Sequence, residues 1–163
     1  MWHVGTLPDD PETSPYEPAP YQVEADITQV QLRHNRNYVQ LSMKVCEARR
    51  ETRYSFFGFT LQTGRKEATE VLVATYRTDR DGVLLIRDAR GRDKKCSGLR
   101  GFKINWDTNT VAVTIPRTCV GRPSVLRMKA HSGAELATDD YYHDDALSDR
   151  YSSPAWTPWV RRG

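Results

Sequence analysis

The chain has 163 residues, 38% of them hydrophobic and 28% charged, with a net charge of +3. That is enough chain for one domain with tails, and the apolar content suits a sandwich with one wet face per sheet better than a large α/β core. No apolar run approaches the roughly eighteen residues that span a bilayer. Cations and acids are interspersed with no basic stripe in the sequence, so neither a membrane span nor a nucleic-acid partner is expected.

Residues 1–25 hold Pro8, Pro11, Pro15, Pro18 and Pro20 amid Asp9, Asp10, Glu12 and Glu17. Proline at this density opposes helix and central strand and favours extended chain. The segment reads as a flexible arm before a single domain over residues 26–163. Its start, M-W-H-V-G-T-L-P, lacks the basic and apolar regions of a signal peptide. The expectation is either a cytosolic chain or a secreted one without its signal, and the cysteines favour the second.

Ile27 to His34 predicts a first strand, with Val30, Leu32 and His34 on one face. After the turn Asn35-Arg36-Asn37, residues 38–46 alternate cleanly, with Val39, Leu41, Met43 and Val45 inward and Gln40, Ser42 and Lys44 outward. The two should pair as a hairpin. Cys46 at the end of that strand reads as a buried free thiol. Tyr54 to Thr63 has aromatics on both sides, as in a central strand covered on both faces or one rimming a groove. Gly58 inside it marks a bulge or a close approach. Residues 69–78 form the next strand, with Val71, Val73 and Thr75 opposite Leu72, Ala74 and Tyr76. Asp79-Arg80-Asp81-Gly82 predicts a hairpin turn with Asp-Gly at its tip, and Val83 to Asp88 returns.

After the polar loop of residues 90–95, Phe102, Ile104 and Trp106 alternate with Lys103 and Asn105. Beyond a turn at residues 107–110, Val111, Val113 and Ile115 alternate with Ala112 and Thr114. This is a hairpin, with Trp106 expected in the core, and Cys96 and Cys119 face each other across its mouth. A bridge there closes a loop of about 24 residues, worth roughly 3 kcal/mol in the chain-entropy model. Pro116 suits the first position of a short helical turn. Residues 124–131 form the last clear strand; Tyr141-Tyr142 could add a short one. With no segment of helical period, the fold class is all-β: an antiparallel two-sheet sandwich of about eight strands with a disulfide-closed hairpin.

From Asp26 onward the chain resembles a group of actinobacterial secreted proteins of unassigned function. The resemblance rests on D-I-T-Q-V-Q-L at 26–32, C-S-G-L-R at 96–100, I-P-R-T-C-V-G-R-P at 115–123, and D-D-A-L with the later W-V-R-R-G. It covers about 135 residues and implies an extracellular location, cysteines at the positions of Cys96 and Cys119, and a sandwich similar to DOMON domains and to xylan- and cellulose-binding modules of the CBM9 type. It implies no catalytic residue. Cys46 departs from the group's two-cysteine pattern.

The chain has no G-x-S-x-G, no H-E-x-x-H and no phosphate-binding glycine loop, and the expectation is a protein that is not an enzyme. His143 with a neighbouring aspartate is the one acid–base candidate. Trp156, Trp159, Tyr54 and Tyr76 are candidates for a sugar platform, since pyranose C–H groups pack on aromatic faces; core packing or capping of the sandwich is the alternative. Asp139, Asp140, Asp144 and Asp145 could ligate calcium, as could Asp79 and Asp81, although neither run has EF-hand spacing. Haem ligation by Met43, Met128, His34 or His131 has less support than core filling. The expected function is a secreted, monomeric, non-catalytic binding domain, for cell-wall or environmental polysaccharide or else for an extracellular protein.

Overall fold

Two antiparallel sheets account for almost all the regular structure of the computed structural model. It describes residues 2–4, 16–18, 23, 25–49, 52–64, 68–136, 141–147 and 155–163. The strands are β1 (Trp2–Val4), β2 (Tyr16–Pro18), β3 (Ile27–His34), β4 (Tyr38–Val45), β5 (Tyr54–Thr63), β6 (Ala68–Tyr76), β7 (Asp79–Asp88), β8 (Gly101–Asn105), β9 (Thr110–Pro116), β10 (Val125–Glu135), β11 (Tyr141–Asp145) and β12 (Val160–Arg161). The four strands beyond the expected eight are short: β1, β2, β11 and β12 have five residues or fewer.

The large sheet runs β2-β1-β11-β10-β5-β6-β7, and the small one β3-β4-β9-β8. Along its whole length β10 pairs with β5, from Leu126 opposite Thr63 to Glu135 opposite Tyr54. Its other edge is shared, with β12 at Val125–Leu126 and β11 at His131–Glu135. Proline-bearing β2 takes the edge position, where a missing N–H is tolerated.

Period-2 alternation builds the core. Val39, Leu41, Met43 and Val45 of β4 and Val111, Val113 and Ile115 of β9 face Phe57, Phe59 and Leu61 of β5, Val71 and Val73 of β6, and Leu126 and Met128 of β10. The Cys96–Cys119 disulfide joins the loop before β8 to a 3-10 turn at Arg117–Val120, with Cα atoms 5.5 Å apart.

The alternation also explains three departures from expectation. Val45 points inward, so Cys46 points outward; it is an exposed free thiol rather than a buried one. Trp106 leaves the strand for the turn, where Asn105 Oδ1 accepts the N–H groups of Asp107 and Thr108, and it lies half-buried outside the core. The β6–β7 turn falls at Arg77-Thr78 rather than at Asp-Gly. Gly82 instead serves a bulge: Tyr76 pairs with Asp79 but Ala74 with Val83, which leaves extra residues on β7. Gly82 has φ +70, and a Cβ there would lie 2.8 Å from the Ala74 carbonyl oxygen.

The sheets meet along β3. Ser132 Oγ donates to the Ala25 carbonyl, the Ile27 N–H donates to Asp144 Oδ2 at 2.8 Å, and the Gly163 N–H donates to the His34 carbonyl at 3.0 Å. His34 is buried at this seam. Burial lowers its pKa, the Val160 carbonyl raises it, and the charges of Arg117 and Arg162 lower it further.

Candidate functional site

The outer face of the large sheet carries most of the candidate residues. On β5 it presents Tyr54, Phe56 and Gly58; on β10, Arg127, Lys129, His131 and Gly133; on β11, Tyr141, His143 and Asp145. Two glycines make room for two rings. Gly58 pairs with His131 and Gly133 with Phe56, and a Cβ at Gly58 would fall 2.2 Å from His131 Nε2. A Cβ at Gly133 would fall 2.3 Å from Phe56 Cε1. Each ring thus lies over the glycine of the facing strand. Around Phe56 the centroids of His131, Tyr141 and His143 lie 5.7, 6.1 and 6.1 Å away.

His143 Nε2 is 3.1 Å from Asp145 Oδ1, so the acid–base pair foreseen in the sequence does form. Its ring is 6.0 Å from that of His131. Burial, and then the neighbouring His143, push the His131 pKa down to about 4 against the pull of Asp145. His131 is therefore a neutral packing ring at pH 7.

The four aromatic candidates separate into two pairs. Tyr54 and Tyr76 lie side by side, with centroids 5.1 Å apart and planes 41° from parallel. Burial and the neighbouring Tyr76 raise the Tyr54 pKa. Tyr76 is 45% exposed and borders an open depression of about 450 Å³ with Arg53, Arg77 and Thr78. Trp156 and Trp159 both pack on the Arg127 guanidinium, 4.6 Å from each ring centroid, and Lys129 Nζ lies 4.8 Å from Trp156. Arg127 Nε donates to Gln62 Oε1 at 2.7 Å. Gln62 and Tyr54 stand eight positions apart on one strand, about 27 Å at the usual rise. The tyrosines and tryptophans therefore form no common platform; Arg127 lies against both tryptophans, and Trp159 remains 46% exposed.

The aspartates are also dispersed. Asp139 and Asp140 lie outside the described residues. Asp144 and Asp145 are consecutive on β11 and point to opposite faces: Asp144 accepts the Ile27 N–H, while Asp145 faces His143. Burial raises the Asp144 pKa, and the Ile27 hydrogen bond opposes it. Among the described residues no group of three or more His, Cys, Asp or Glu could hold a metal ion. Met43 and Met128 fill the core, and neither His34 nor His131 is exposed.

Sequence reasoning missed a basic groove at the end of the sandwich where β3, β5, β7 and β9 finish. Three adjoining depressions of about 450, 530 and 270 Å³ make it. The first two share Thr63, Val120 and Gly121, and the second and third share Arg122. Arg90, Arg92 and Lys94 line one end, and Arg36, Arg117 and Arg162 the other. No helix among the described residues is long and apolar enough to cross a membrane. The chain matches no protein-family model and no curated protein sequence at significant similarity.

Proposed function

We propose that this protein is a non-catalytic binding domain of the extracellular space whose ligand is a polysaccharide. The observation that carries the reading is the Tyr54–Tyr76 pair. An exposed ring with guanidinium and hydroxyl donors beside it offers a sugar both a surface for its C–H groups and partners for its hydroxyls. The intrachain disulfide supports the extracellular setting, because such bridges persist in oxidising compartments. The test is titration of the folded protein with soluble uncharged glycans, with Tyr76→Ala alongside. Saturable binding that weakens at least tenfold in the variant is expected; no retention by any glycan, or equal binding by the variant, overturns it.

A second reading, a protein partner, draws on Leu72, Val83 and Leu85. These share the outer face next to Tyr76 and are only partly covered, with Val83 36% exposed. An apolar patch of this kind suits a protein surface. A single stoichiometric protein captured from culture supernatant by the native chain and lost with Val83→Asp would favour it over the glycan.

A further inference from the structure

We infer that the basic groove is a second binding site, and that its ligand is an acidic polysaccharide: a glycan bearing carboxylate, sulfate or phosphate at intervals along its chain. It lies at the opposite end of β5 from Tyr54 and stands whether or not the tyrosine pair binds sugar.

The first ground is uncompensated charge. Among the described residues no carboxylate comes within ion-pair distance of Arg36, Arg90, Lys94, Arg117, Arg122 or Arg162. The one acid among the described residues of the lining, Asp88, is already engaged. Arg92 holds its Oδ2 through Nη2 at 2.6 Å and Nε at 2.8 Å, and its Oδ1 accepts the N–H groups of Arg90 and Arg92. Those bonds, the Arg92 side chain first, keep the Asp88 pKa at about 2. They also fix the loop that displays Arg90.

The second ground is construction. Arg117 gathers the groove from within. Its guanidinium donates to the carbonyls of Arg36 at 3.1 Å, Arg122 at 2.9 Å and Pro123 at 2.9 Å. A single side chain thus ties together the two backbone segments that carry Arg36 and Arg122. Arg162 is brought in by its own N–H, which donates to the Ser124 carbonyl at 3.1 Å. The charges of Arg117 and Arg162 are felt at buried His34.

The third ground is the chemistry of the lining. Guanidinium forks match the oxygens of carboxylate, sulfate and phosphate in pairs. Among the described residues no aromatic ring lines the groove, and its other polar lining is Thr63, Thr69, Ser124, Asn37 and Thr118. Single-stranded nucleic acid depends on ring stacking, whereas a glycan takes hydroxyl and cation partners, so the lining favours the glycan.

The test measures binding of the full chain to dextran sulfate, polygalacturonate, uncharged dextran and duplex and single-stranded DNA oligonucleotides over a salt series. A groove variant, Arg36→Ser/Arg90→Ser/Arg162→Ser, is compared with Arg33→Ser/Lys44→Ser/Lys103→Ser, which removes the same charge from the outer face of the small sheet. The substituted groove arginines are exposed, and unchanged circular dichroism and thermal midpoint confirm folding; single Arg36→Ser and Arg162→Ser variants stand in if the triple is destabilised. Binding to either acidic glycan, with at least a tenfold loss and a shallower salt dependence in the groove variant and less than a twofold loss in the other, supports the site. The arm that binds identifies the anion. Binding to neither acidic glycan, equal losses in the two variants, or tighter binding to DNA than to both glycans overturns it. Uncharged glycans at the tyrosine pair are scored separately, so the two readings fail independently.

Discussion

The outer faces of the two sheets are built from the same alternation and end up with different physics. On the small sheet Gln29, Gln31, Arg33, Gln40, Lys44, Lys103 and Ala112 stand exposed, a solvated surface in which each side chain contributes little. On the large sheet Phe56, His131, Tyr141 and His143 pack on one another over two glycines, and Trp156 and Trp159 close on Arg127. That face behaves as a second packed layer. An exposed-looking strand face can hold buried ionisable groups when the opposite strand supplies a glycine for each ring, and only register decides whether it does.

Four measurements bear on that contrast. The largest effect is expected from acid. His131 titrates near 6.5 when unfolded and near 4 when folded. Below pH 6.5 the unfolded chain takes up a proton that the folded one refuses, so stability falls as pH drops from 6.5 to 4 and levels off below. The full interval is worth about 3 kcal/mol. Urea unfolding at pH 7 and 4.5 should show most of it in the native chain and little in His131→Phe; an equal loss in both would remove His131 from the buried layer. Next, Gly58→Ala should cost about 1–3 kcal/mol by driving a methyl group into the His131 ring, read as a lowered urea midpoint with unchanged slope. Arg127→Ala should cost about 1–2 kcal/mol through the loss of two ring contacts, with a change in tryptophan fluorescence. Lys44→Ala and Lys103→Ala on the small sheet should each stay within about 0.5 kcal/mol. If either matched Gly58→Ala, the two faces would not differ as described.

Much of the fold was legible because it rests on local alternation. Residues 54–63 form the strand that their pattern predicts, and the Cys96–Cys119 pairing follows from a hairpin whose strands are both in the sequence. Turn placement was less legible at Gly82, where the bulge competes with the hairpin tip for the one residue that readily takes positive φ. The sites were least legible. The groove draws Arg36, Arg90, Arg117 and Arg162 from four distant segments, and no window of sequence contains such a stripe. The Gly58–His131 pair needs a register between strands more than seventy positions apart. Trp156 and Trp159 invite a sugar-platform reading, and only three dimensions show Arg127 lying against both.

The seam along β3 has a kinetic consequence. Ala25 meets Ser132 across 107 positions, Ile27 meets Asp144 across 117, and His34 meets Val160 across 126. Contacts of such span return little until the loops between them have been shortened by structure already formed. The β3–β4, β5–β6 and β8–β9 hairpins, local in sequence, are thus expected to precede the joining of the two sheets. An intermediate with paired hairpins and an open seam would display the edge of β3 and the inner faces of both sheets, the surfaces from which β-rich chains aggregate. Refolding yield should accordingly fall with protein concentration more steeply than native stability would suggest, with the segment from Val160 to Gly163 acting as the clasp that ends the exposure.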